Sequence, residues 1–134
     1  MRLGQARGSA MRQDRSSRLH RDREAAPKLG TMFPVVEQLR FELSFEGGGK
    51  ATPVPQSHVL HPPARAYFSF RCPYADCDGR FELAAAVYAA VKDPSHRIEG
   101  VLECAGSRVS DFRSKPLCQL RLHFTLTAVC SPAP

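Results

Sequence analysis

No run of about 18 apolar residues occurs in this 134-residue chain, so the sequence predicts no membrane-spanning helix. No apolar stretch of the secretory type opens it either. That predicts no secretory signal and a reducing, cytoplasmic setting. In such a setting close cysteines serve more often as metal ligands or catalytic thiols than as disulfides. Catalytic signatures are missing as well: there is no Gly-x-Ser-x-Gly, no P-loop and no dinucleotide fingerprint. Internal repeats are lacking, and the length suits one domain. Acidic residues are scarce near the start. Residues 1–31 set only Asp14, Asp22 and Glu24 against seven arginines and Lys28, which accounts for +5 of the net +6. The rest of the chain is therefore close to neutral, whereas a compact nucleic-acid-binding domain normally carries basicity on its own surface.

What is present falls into two parts. Residues 1–31 have no sustained hydrophobic period and are expected to be a disordered basic tail. Three readings of that tail stand side by side: a basic arm for nucleic acid or a membrane surface, a transit peptide, or a native start at Met32. Residues 32–134 are expected to form a single zinc-stabilised domain.

Periodicity gives its elements. Leu39, Phe41, Leu43 and Phe45 alternate with polar residues, which predicts a half-buried strand stopped at Gly47. Residues 50–63 hold four prolines and are expected to be a long loop without a strand. Residues 64–72 predict a second strand, with Ala66, Phe68, Phe70 and Cys72 on one face. Residues 80–92 predict a helix striped by Leu83, Val87 and Val91, capped by Asp78 or Gly79 and ended by Pro94. Residues 96–104 and 118–130 predict two more strands, each with its cysteines in phase with its apolar face.

Four cysteines then converge. Cys72 and Cys77 bracket the turn Cys72-Pro-Tyr-Ala-Asp-Cys77. If the helix carries the chain back in a βαβ crossover, the strand ending at Cys104 runs parallel to the one ending at Cys72. The next strand then starts at the same end with Cys118. The predicted metal ligands are Cys72, Cys77, Cys104 and Cys118, a closed tetrahedral site of the structural zinc type. Cys130 lies too far along its strand, about 40 Å at extended spacing. His123 falls on the polar face, and His96 at the opposite end. His58 and His61, in the proline-rich loop, are read as solvated. Unliganded core thiols, disulfides, and iron in place of zinc remain as alternatives.

This arrangement resembles the zinc-ribbon class, in which a Cys-Pro-containing turn on one hairpin faces a second cysteine pair across a small sheet. The likeness spans about residues 70–120 and implies a small bacterial zinc-binding protein. It departs from the usual pattern in its wider first pair, its widely spaced second pair and the helix between them.

The expected fold is α+β: a small four-stranded, mostly antiparallel sheet with one helix on its apolar face and a structural zinc at the sheet edge. The expected function is a zinc-stabilised interaction module with an unknown protein partner. One alternative is a nucleic-acid-binding accessory protein that uses the tail and the polar sheet face, with Arg65, Tyr67, Arg71, Arg121 and His123 as contacts. The other is a thiol-dependent enzyme, which would need an open or labile metal site. Cys130 has no local partner in the sequence to activate it.

Overall fold

The structure is a computed structural model and describes residues 21–47, 51–106 and 118–132. The first 20 residues of the expected tail, the glycines and Lys50 at 48–50, and most of the expected polar loop at 107–117 lie outside the described residues. In chain order the elements are α1 (Leu29–Met32), β1 (Val36–Gly47), β2 (Gln56–Leu60), β3 (Ser69–Arg71), β4 (Arg80–Glu82), α2 (Ala84–Lys92), β5 (Arg97–Glu103) and β6 (Leu120–Cys130).

The fold is α+β. Four strands form an antiparallel sheet in the order β2-β1-β6-β5, and β3 and β4 form a separate antiparallel pair. The two long central strands pair continuously from Gln38↔Val129 to Gly47↔Leu120. They bury the predicted alternate side chains: Leu39, Phe41, Leu43 and Phe45 from β1, and Leu120, Leu122, Phe124, Leu126 and Ala128 from β6. A bulge between Val36 and Gln38 resets the phase, so Val36 and Leu39 are both buried although they stand three positions apart.

Two layers cover this apolar face. The β3–β4 hairpin lies over β1 through ring contacts of Phe41 with Phe68 and Phe70 and of Phe45 with Phe81. Helix α2 packs on β6 and β5. Its run Ala84-Ala-Ala-Val-Tyr-Ala-Ala-Val-Lys92 is rich in the strongest helix former. The residues it buries, with Leu83 before it, are Val87 and Ala90; Val91 is only half-buried. The helix ends where Pro94 forces Asp93 into extended geometry, ψ 136°.

Several sequence expectations change. A strand, β2, lies inside the expected proline-rich loop. The six residues between Pro55 and Pro62 are free of proline, and an edge strand needs hydrogen bonds on one side only. The expected first turn of the helix is instead strand β4, which folds back on β3 with Phe70 opposite Phe81. Leu83, not Asp78 or Gly79, is the residue before the helix, and it makes no side-chain cap. The expected βαβ crossover does not form. β3 pairs with β4, and β5 pairs antiparallel with β6, so the strands bearing Cys72 and Cys104 lie in different sheets.

Packing contacts are also present upstream of Met32. Leu29 has no exposed surface, its N–H donates to the Ala64 carbonyl, and the Ala66 N–H donates to the Pro27 carbonyl. Residues 27–31 therefore belong to the packed body. A short apolar patch without a period does not reveal that to a sequence reading.

Candidate metal centre

Each cysteine of the cluster reaches the site from a turn. Cys72 follows β3, and its N–H donates to the Gly79 carbonyl, which closes the loop around Pro73 to Asp78. Within it the Cys77 N–H donates to the Tyr74 carbonyl. Cys104 follows β5 and donates its N–H to the Leu120 carbonyl, so the β5–β6 ladder runs straight into the site. Cys118 stands two residues before β6. Between them Gln119 adopts φ 56°, a left-handed conformation that turns the chain sharply.

The four sulfurs of Cys72, Cys77, Cys104 and Cys118 lie within 4.8 Å of one another, and all four residues are buried. Cys72 Sγ is 3.6 Å from Cys118 Sγ, and Cys77 Sγ is 3.6 Å from Cys104 Sγ. All are free thiols. A tetrahedral ion with metal–sulfur bonds of about 2.3 Å places its sulfurs about 3.8 Å apart. The cluster therefore fits such an ion, and could hold one. The contact across each pair joins the β3–β4 turn to the β5–β6 end, so the site stitches the two sheets together.

Backbone amides aim at the same sulfurs. Gly79 N–H donates to Cys77 Sγ at 3.3 Å, and Gly106 N–H to Cys104 Sγ at 3.4 Å. Backbone hydrogen bonds from Tyr74 and Leu120 act likewise on Cys72 and Cys118. Every sulfur thus accepts from the residue two positions on. Such bonds favour the negative thiolate over the neutral thiol.

Metal-free, the four groups compete. Burial drives Cys72 far above the ordinary thiol range, and the thiols of Cys118 and Cys77 and the charge of Cys104 add to the rise. Burial, with the neighbouring cysteines, pushes Cys104 up to about 12. At Cys118 burial also pushes upward, but the Leu120 amide and the three neighbouring thiols outweigh it, and its pKa falls. One thiolate among protonated neighbours is the pattern expected when like charges crowd one spot. A divalent cation reverses it and holds every ligand deprotonated.

Two glycines make the site possible. A Cβ on Gly79 would collide with Cys104 Sγ, and a Cβ on Gly106 would collide with the Gly79 backbone. The two half-sites meet backbone to backbone. Sequence reasoning missed this pair, although the signal was present: Cys77-Asp-Gly79 and Cys104-Ala-Gly106 share the spacing Cys-x-Gly.

The remaining candidates lie elsewhere. Cys130 pairs with Val36, at the opposite end of β6 from the cluster, and burial together with the Glu37 charge raises its pKa. His58 lies tilted against the Phe70 ring and bonds Gln56 Oε1. His96 Nδ1–H donates to the Ala90 carbonyl. The expected nucleic-acid contacts do not share one face. Arg121 and His123 sit on the outer face of β6, both against Glu46, at 3.9 and 2.6 Å. Arg71 lies in β3, in the other sheet. Arg65 donates to the Ala26 carbonyl, and Tyr67 lies beneath the guanidiniums of Arg23 and Arg80 and accepts a hydrogen bond from Arg80. Arg65, Tyr67 and Arg71, before and within β3, do not reach that outer face because β3 pairs with β4 in a separate sheet.

That outer face is not basic. Arg40, Arg97 and Arg121 are set among Glu42, Glu46, Glu99 and Glu103. The strands also line an open depression of about 560 Å³, with Glu42, Ser44, Glu99 and His123 among its walls. Among the described residues, no helix is long and apolar enough to cross a membrane. Compared with protein-family models, with curated proteins and with solved structures, the chain matches none.

Proposed function

We propose that the chain is a zinc-stabilised binding module of the cytoplasm whose metal is a staple and whose partner is a protein. The observation that supports this most strongly is the set of four amides, one directed at each of four buried sulfurs. Four thiolates this close coexist only around a cation, because their mutual repulsion in a shielded interior is otherwise prohibitive. Zinc is the ion of choice, since a closed tetrahedron of cysteines is its usual structural site. Iron takes the same ligands and differs in colour. Two hairpin ends that each supply a cysteine pair also favour the zinc-ribbon resemblance. Four protein ligands leave no corner for water or substrate, which weighs against a thiol- or metal-dependent enzyme. A protein partner is preferred to nucleic acid because acids outnumber arginines on the outer face of the sheet, and phosphates bind where basic charge dominates.

Metal analysis of the purified protein tests the reading. The expected result is one equivalent of zinc, lost in Cys118→Ser and kept in Cys130→Ser. A full equivalent retained by Cys118→Ser would overturn the ligand set. Absence of any tightly held metal from protein purified without chelators would overturn the staple.

A further inference from the structure

The four-stranded sheet has two edges, and they differ. The β2 edge is five residues long and bracketed by Pro53, Pro55, Pro62 and Pro63, the usual way of blocking further pairing. The β5 edge runs from Arg97 to Glu103 with no proline, and its register with β6 shows no bulge.

Hydrogen-bond phase identifies what β5 offers. Cys104 N–H donates to the Leu120 carbonyl, and Ala128 N–H donates to the His96 carbonyl. Even-numbered residues therefore bond to β6, and odd-numbered residues turn their N–H and C=O groups outward. Ser95 Oγ accepts the Arg97 N–H at 3.3 Å and marks one end of the free edge. Among the described residues, nothing covers the outward backbone groups of Glu99, Val101 and Glu103.

We propose that β5 pairs antiparallel with the β5 of a second copy of this chain, about a two-fold axis at Gly100. Side-chain charge selects this register. Only odd residues can exchange bonds across the new pair, so the axis must lie at Glu99, Gly100 or Val101. An axis at Glu99 sets that carboxylate against its own copy, and an axis at Val101 sets Glu99 against Glu103; like charges directly opposite are unfavourable. At Gly100 the pairs become Arg97 with Glu103 and Glu99 with Val101, and on the inner face Ile98 with Leu102. Opposite charges then meet at both ends, and apolar residues meet beneath. At the axis Gly100 adds no side chain of its own, because the Phe124 ring already fills the place of its Cβ, 2.6 Å from Cζ. Val101, 54% exposed, is the apolar residue of the outer face that pairing would cover. The product is a continuous sheet of eight strands with the proline-guarded β2 at each outer edge.

Sedimentation equilibrium of the metal-loaded full chain, over a concentration series, tests this. A reversible monomer–dimer equilibrium is expected. Val101→Pro should abolish it, because the N–H removed points outward and the β5–β6 ladder loses nothing. Val101→Lys, which places an ammonium opposite Glu99 of the other copy, should tighten the dimer about fivefold, and Val101→Glu should loosen it about fivefold. Retained metal and unchanged circular dichroism establish that each variant is folded. A wild-type chain that stays monomeric would overturn the proposal. So would equal loosening by Val101→Lys and Val101→Glu, which marks a plain apolar contact, or a dimer indifferent to all three substitutions.

Discussion

The β1–β6 pair and the β3–β4 pair are both antiparallel, yet different forces hold them. β1 and β6 pair along almost their whole length and bury a face of leucines and phenylalanines. β3 and β4 share three residue pairs, from Ser69↔Glu82 to Arg71↔Arg80. A cross-strand pair contributes about 0.2–1 kcal/mol, and an isolated short hairpin is marginal in water. The smaller pair depends on what it leans on: the rings of Phe41 and Phe45 on one side, and the cysteine cluster at its turn. The contrast would give a metal held by the cluster a local duty. It would secure the hairpin and the end of β5, because the central strands have a core of their own.

Metal removal should separate the two regions most sharply. Structural zinc contributes on the order of 10 kcal/mol of apparent binding energy at neutral pH. After chelation, amide exchange should accelerate first in β3, β4 and the turn between them, with the β1–β6 amides protected longest. Simultaneous loss throughout would make the two regions one cooperative unit. The two forms should also respond oppositely to pH. Protons compete for thiolates, so the metal-loaded protein loses its metal as pH falls. In the metal-free protein the raised Cys104 pKa contributes stability that is complete below the ordinary thiol value of 9.0 and is lost as pH rises through about 12.

The next largest effect should come from Phe41→Ala. Phe41 is fully buried between the sheet and the hairpin, where it meets both Phe68 and Phe70. A loss of about 3–5 kcal/mol is expected, read as a lower denaturant midpoint for both regions together. Gly79→Ala should be smaller and one-sided. Its new methyl collides with Cys104 Sγ and costs about 1–3 kcal/mol of overpacking. Competition with a chelator should show weaker metal retention, with the central amides unaffected. The smallest effect belongs to Asp93→Asn. Hydrogen bonds from the Ser95 hydroxyl and backbone N–H hold the Asp93 carboxyl below its ordinary 3.8. Its contribution is present above that value and lost as pH falls through the lowered one. The variant should therefore show a flatter acid limb in denaturation midpoints, with metal content unchanged.

Legibility in the sequence followed the same division. β1, β5 and β6 could be read because one face of each is apolar and sheltered and the alternation is unbroken over Leu39 to Phe45, Arg97 to Glu103 and Leu120 to Ala128. The cysteine set was readable because Cys72, Cys104 and Cys118 end or begin strands in phase with apolar residues. The route to it was not. β4 is only three residues long, and Arg-Phe-Glu is compatible with a helix, so nothing local signalled that the chain would fold back. That one omission placed β3 in the main sheet, created a crossover that does not form, and put Arg65, Tyr67 and Arg71 on a face they do not share with Arg121 and His123. The same four cysteines come together because the turn at residues 72–77 and the end of β5 meet in either topology. β2 was hidden by the prolines around it, whose constraint stops at the strand it brackets. The contact between Gly79 and Gly106 needed a third dimension, since neither glycine shows its partner along the chain.

The sheet order β2-β1-β6-β5 has a consequence for synthesis. The innermost neighbours are the first long strand and the last, so Val36 finds its partner only when Cys130 has been made. Contacts so distant in sequence form slowly. On the ribosome, Cys72 and Cys77 emerge well before Cys104 and Cys118 and present half a binding site to the cell. A metal captured at that stage would have two thiolates and open positions. The growing chain would then meet a metal first as a loosely held passenger, and as a fixed part of its frame only after Cys104 and Cys118 had followed.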